Sequence, residues 1–147
     1  MGTLRNDGDR KYLLQRLARL NPDAKPLWGK MNAPQMLCHL RDSLAMALGE
    51  VAVKALKPNA LQRFPLRQLV IYVLPMPKNI PTVPELQASQ PGDFAADLRE
   101  VAERVERMSK MPNGVGALHP LFGPMTNDEW CALQYKHAAH HLKQFGL

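Results

Sequence analysis

Long apolar runs are missing from this chain. The longest, LVIYVL (Leu69 to Leu74), falls far short of the ~20 residues a membrane-spanning helix needs, so no membrane partner is expected. The opening MGTLRNDGDRKY lacks an apolar leader region, and Asn6 stands where an N-myristoylation signal wants Ser or Thr, so neither secretion nor lipidation is expected. Cysteine is scarce. Cys38 and Cys131 are the only two, form no CxxC pair and cannot make a disulfide framework. Both lie in predicted helices, where a lone cysteine acts as a small hydrophobe, and this fits a reducing, cytoplasmic setting. Aromatic residues are only 6%. A net charge of +6 without interleaved aromatics therefore leaves nucleic acid only as a weak alternative, and no such partner is expected. Arg99, Arg104 and Arg107 alternate with Glu100, Glu103 and Glu106, the pattern of a solvated helix face. No GxSxG elbow is present, GVG lacks the context of a phosphate loop, and Cys38 points about 100° away from its neighbour His39 on a helix.

What remains is a chain of 147 residues with 46% hydrophobic content, enough for one domain spanning 1–147. Proline and glycine punctuate helical patterns. The first helix is expected from about Asp9 to Leu20, with Leu13, Leu17 and Leu20 on one side. Pro22 and Pro26 break it. The second starts at the N-cap Asn32 with Pro34 in its first turn, and carries Met36, Leu40, Leu44 and Ala47 as its apolar stripe to about Gly49. LQRFPLRQLVIYVLPMP is expected to form a third, largely buried helix, since its β-branched run finds no partner strand elsewhere. PMPKNIPTVPELQASQPGD reads as an irregular connection, and a fourth helix is expected from about Gly92 to Lys110. MPNGVGALHPLFGP reads as a loop. The last helix opens on the capping box TNDE, with Thr126 as N-cap and Glu129 three residues on, and runs to about Phe145. The expected fold is all-α, a four-helix bundle with a further short helix or ordered loop.

Three of the five histidines crowd into QYKHAAHHLKQFGL. His137 and His141 are four residues apart, on one helix face. They continue the stripe Trp130, Leu133, Gln134 toward Phe145 and so face the core, whereas His140 is displaced toward the edge. His39 sits in the apolar stripe of the second helix, between Met36 and Ser43. Three imidazoles in one core need partners, because an unpaired buried polar group costs ~1–3 kcal/mol. A divalent metal is one such partner. Three neutral imidazoles plus an open position make a site that lowers the pKa of a bound water or thiol and acts as a Lewis acid. Core histidines satisfied by hydrogen bonds, or a wet surface cluster, are the alternatives that spacing leaves open.

LWGKMNAPQMLCHL, MPKNIPTVPEL, HPLFGPMTNDEW and QYKHAAHHLKQFG together resemble one branch of the DinB/YfiT-like superfamily, a branch of small bacterial proteins without an assigned activity. The likeness runs in order from about Leu27 to the C-terminus. It implies a DinB-like four-helix bundle whose metal is held by one histidine on an early helix and an HxxxH pair on the last. By position these are His39, His137 and His141. Where the superfamily pattern has an RGQ-like tripeptide, this chain has LKQ, with Lys143 in place of a small residue and Gln144 retained to orient the site. His140 has no ligand role in the pattern.

The resemblance implies metal-dependent transfer or hydrolysis on a small molecule, in several relatives with a low-molecular-weight thiol. Zn and Ni head the expected ions, although three imidazoles also suit Fe and Cu. Relatives dimerise often, so a homodimer is an open expectation. A non-catalytic metal- or ligand-binding bundle, and a metal-free structural bundle, are the competing readings. His119 precedes a proline and reads first as a turn or surface residue, with lining of the pocket as its other role. Asp42 reads as a solvent-facing acid or as an acceptor orienting an imidazole. Trp28 and Trp130 read as anchors, and the methionines as core filling.

Overall fold

The computed structural model describes residues 2–54, 57–78 and 90–147. Four long helices form the core: α1 (Asp7–Leu17), α2 (Ala33–Ala47), α4 (Phe94–Ser109) and α5 (Asn127–Gln144). α2 lies mainly against α4, and α5 touches α1, α2 and α4. Each helix starts where its capping chemistry dictates. The Asn32 side chain accepts from the N–H of Gln35 while the Gln35 side chain accepts from the N–H of Asn32, and Thr126 and Glu129 repeat this reciprocal pair at α5. Asp93 caps α4 through the N–H of Ala96. The expected stripes of three helices are buried, Leu13 and Leu17 of α1, Met36, Leu40 and Leu44 of α2, Trp130 and Leu133 of α5, and Val101, Val105 and Met108 of α4 join them.

The expectation of an all-α four-helix bundle is corrected. Residues read as a loop form an antiparallel hairpin, β1 (Val115–His119) and β2 (Gly123–Thr126), so the described chain is mixed, five helical segments and a two-stranded sheet. Side chains and a glycine make this turn. Nδ1 of His119 accepts the N–H groups of Leu121 (3.0 Å) and Phe122 (3.2 Å), and Gly123 takes φ +70°. Pairing then sets Leu118 against Pro124 and His119 against Gly123. The indole N–H of Trp130 donates to the carbonyl of Ala117 at 2.7 Å, pinning β1 to α5. Gly116 is required beneath it, because a Cβ there would stand 2.4 Å from Oδ1 of Asn127.

The third helix is also revised. A short 3-10 turn (Ala60–Gln62) leads to α3 (Leu66–Gln68), which continues as a π-helical turn over Leu69–Val73, closed by the bond from Leu74 N–H to the Leu69 carbonyl. Only Ile71 of this stretch is buried, while Phe64 and Val73 are 81% and 68% exposed. The segment is held by polar ties instead. Lys136 on α5 donates to the carbonyls of Val70 and Ile71, and Arg67 pairs with Glu129 at 3.1 Å. Most of the proline-rich connection before α4 lies outside the described residues. No described helix is long and apolar enough to cross a membrane.

Candidate metal centre

α2 and α5 bring the three histidines to one point. His39 and His141 are buried and His137 is partly buried. Nε2 of His137 lies 2.9 Å from Nε2 of His39 and 2.9 Å from Nε2 of His141. The ligand atoms of all three fall within 4.8 Å of one another, and the rings meet edge-on with centroids 4.6–5.0 Å apart.

The outward nitrogens of two rings are held in one tautomer. Nδ1–H of His141 donates to Oε1 of Gln144 at 2.5 Å, because the amide nitrogen of Gln144 is turned to the Trp28 carbonyl at 3.4 Å. Ser43 does the same for His137. Its hydroxyl donates to Oε1 of Gln134 (3.2 Å) and accepts from Nε2 of Gln134 (2.9 Å), which leaves its second lone pair for Nδ1–H of His137 at 3.3 Å. Both rings then turn Nε2 lone pairs toward each other. In this tautomer a proton on Nε2 of His39 satisfies His137 and leaves His141 without a donor. A cation at the convergence point satisfies all three. The 2.9 Å separations are within about half an ångström of the roughly 3.3 Å that bonds of 2.0–2.1 Å impose at a tetrahedral ion. The residues therefore fit a divalent metal.

Electrostatics favour the ligand form. Burial holds His39 below the ordinary imidazole range and His141 at about 3; for His137 burial, with the neighbouring imidazoles adding to it, pushes the value well down. Neutral imidazole is the metal-binding state, so no proton need leave at neutral pH. Nδ1 of His39 is buried with no hydrogen-bond partner among the described residues, which makes it the least constrained ligand.

Other candidates fall elsewhere. His119 does not join the three nitrogens: it ends β1, caps its own turn, and packs between Phe122 (4.7 Å) and Trp130 (5.0 Å), where burial lowers its pKa to about 4. Asp42 neither faces solvent nor orients an imidazole. Its side chain is 13% exposed and pairs with Nε of Arg41 at 3.0 Å, and Arg41 reaches on to Asp97 of α4 at 2.6 Å. Cys38 sits in that ion network, with burial raising its thiol pKa, and is not a poised nucleophile. Ser43 and Gln134 join the cluster through hydrogen bonds that helical spacing alone does not assign, although both are polar interruptions of apolar stripes one turn from a histidine.

A family model described as a protein of unknown function, DUF1569, matches residues 6–146. The chain belongs to the DUF1569 family. Comparison with curated proteins and with solved structures returns no match. Membership covers both halves of the centre, since His39, His137 and His141 all lie inside the matched span.

Proposed function

We propose that this DUF1569 protein binds a divalent metal ion, Zn or Ni first, through Nε2 of His39, His137 and His141. We propose further that the loaded centre transfers or hydrolyses a group on a small molecule, with a low-molecular-weight thiol as the co-substrate suggested by the DinB/YfiT-like resemblance. One observation carries the reading: three Nε2 atoms converge while Gln144 and Ser43 hold the opposite nitrogens of two rings as donors. A divalent ion held by three neutral ligands supplies a Lewis acid and lowers the pKa of a bound water or thiol. The chain's own part is positioning. Gln144 fixes the plane of His141, the Ser43–Gln134 pair fixes His137, and Met36 and Leu40 beside His39 keep bulk water from the interior side.

Asp42, the acid whose charge His39 feels, is committed to Arg41. That favours a second reading, a metal- or ligand-binding protein without turnover. Elemental analysis of the purified chain tests the common ground: about one metal per chain in wild type and none in His137→Ala is the expected result, and unchanged metal content in the variant sinks the assignment. Metal-dependent product from electrophiles, with and without added thiols, then separates catalysis from simple binding.

A further inference from the structure

The end of α5 and the loop at 26–31 build a rim beside the three imidazoles. Gln144 joins them: its amide nitrogen donates to the Trp28 carbonyl (3.4 Å), and its own carbonyl accepts the N–H of Leu27 (2.6 Å). Gly29, at φ +87°, allows this approach, since a Cβ there would stand 2.7 Å from Nε2 of Gln144. The residue that orients His141 thus also clamps Trp28. From the centre outward, His140 stands edge-on to His141 at 5.5 Å, and Trp28 stands edge-on to His140 at 6.2 Å. The Lys78 ammonium lies 4.3 Å from the centre of the Trp28 ring, a cation–π contact.

The charge of this rim is one-sided. Lys143 and Lys78 are the charged groups that act on His140. Among the described residues neither lysine, nor His140, has a carboxylate partner. Three neutral imidazoles leave a divalent ion's charge uncompensated, so centre and rim add up to one positive field. Such a field draws an anion and raises its local concentration.

We propose that Lys78, His140, Lys143 and the face of Trp28 form a subsite for the oxyanion, a carboxylate or a phosphate, of a small substrate whose other end reaches the three-imidazole centre. The reaching end rests on the metal reading above; the oxyanion subsite stands on the rim itself. Lysine ammoniums and the imidazole N–H are strong donors to such a group. Trp28 supplies a flat apolar wall for the part of the molecule between its two ends.

The test uses the full chain, with metal content measured first by elemental analysis. Calorimetric titrations of the zinc-loaded protein with inorganic phosphate, succinate and the neutral isostere succinamide follow. At least one anion is expected to bind about tenfold or more tightly than succinamide, with affinity falling as salt rises. Lys78→Met and Lys143→Met each lower anion affinity about fivefold, the effect of one charge at contact range near water, and leave metal content unchanged. Both lysines are exposed, so these variants keep the fold. Preference for phosphate assigns a phosphoryl ligand, and preference for succinate a carboxylate. Anion affinity equal to that of succinamide, or unaltered in both lysine variants, overturns the subsite. If the wild-type chain takes up no zinc, the metal reading fails, and the same lysine dependence in the metal-free protein still decides the rim.

Discussion

Acid unfolds the metal-free chain well above the pH at which ordinary carboxylates titrate, because the fold refuses protons that the unfolded chain accepts. Burial holds His141 at about 3 and His119 at about 4, against an ordinary 6.5. The folded values lie below the unfolded one. The stability is therefore fully present above pH 6.5 and is lost as pH falls from 6.5 toward 4 and 3. Near pH 5 the unfolded state carries about two more protons than the folded state on these residues alone, a slope of roughly 2–3 kcal/mol per pH unit. Between pH 7 and 4.5 each imidazole accounts for roughly 2–3 kcal/mol, about 5 together. That matches the whole stability of many domains, 5–15 kcal/mol. His39 and His137, lowered chiefly by burial too, push in the same direction. Urea midpoints followed by far-UV circular dichroism from pH 7.5 to 4.5, with chelator present, measure the slope. A slope below about 1 kcal/mol per pH unit between pH 6 and 5 refutes the reasoning, since the imidazoles would then be solvated in the folded chain.

Gln144→Ala frees Nδ1 of His141 and should weaken metal binding about 10- to 100-fold without changing stoichiometry, measured by chelator competition. Asp97→Asn takes one carboxylate from Arg41, whose other partner Asp42 stays in place; a loss of about 2–3 kcal/mol in urea at pH 7 is expected, less than the 3–5 for a fully orphaned buried charge. Trp130→Phe removes the donor to the Ala117 carbonyl and leaves a gap in a fully buried position, for a loss of about 2 kcal/mol. Hydrogen exchange of the hairpin amides should rise in that variant more than exchange in α4.

The helices and the histidines that cluster were legible because both depend on short-range periodicity. Thr126 with Glu129, and Asn32 with Pro34, mark where α5 and α2 begin, and from those points the 3.6-residue repeat assigns every later side chain to a face. His137 and His141 fall on the buried face with Trp130 and Leu133 by that rule alone. The convergence with His39 needed a further step, that two polar interruptions of two core stripes must meet each other. Close packing makes that step reliable: an imidazole inside a helical core has few partners besides another polar group placed to meet it.

The hairpin was not legible, for a reason specific to its residues. A strand signal needs alternation over several residues, and Val115 to Thr126 spends its positions on Gly116, Pro120, Gly123 and Pro124. What makes these strands pair is not alternation: the ring nitrogen of His119 gathers two amides of its own turn, and Trp130 of α5 holds the Ala117 carbonyl. The same accounting explains His119 itself. A half-buried histidine whose Nδ1 is spent on backbone donors has no lone pair left on that nitrogen for a metal, and its ring is wedged between Phe122 and Trp130. The π-turn at Leu69–Val73 misled in the opposite sense, since an apolar run reads as core whether or not anything covers it. It is anchored on α5, by the ammonium of Lys136 on its carbonyls and by Glu129 paired with Arg67 of the adjoining α3. Where a segment's backbone groups are satisfied by side chains, periodicity carries little of the signal, and both corrections to the expected fold fall on such segments.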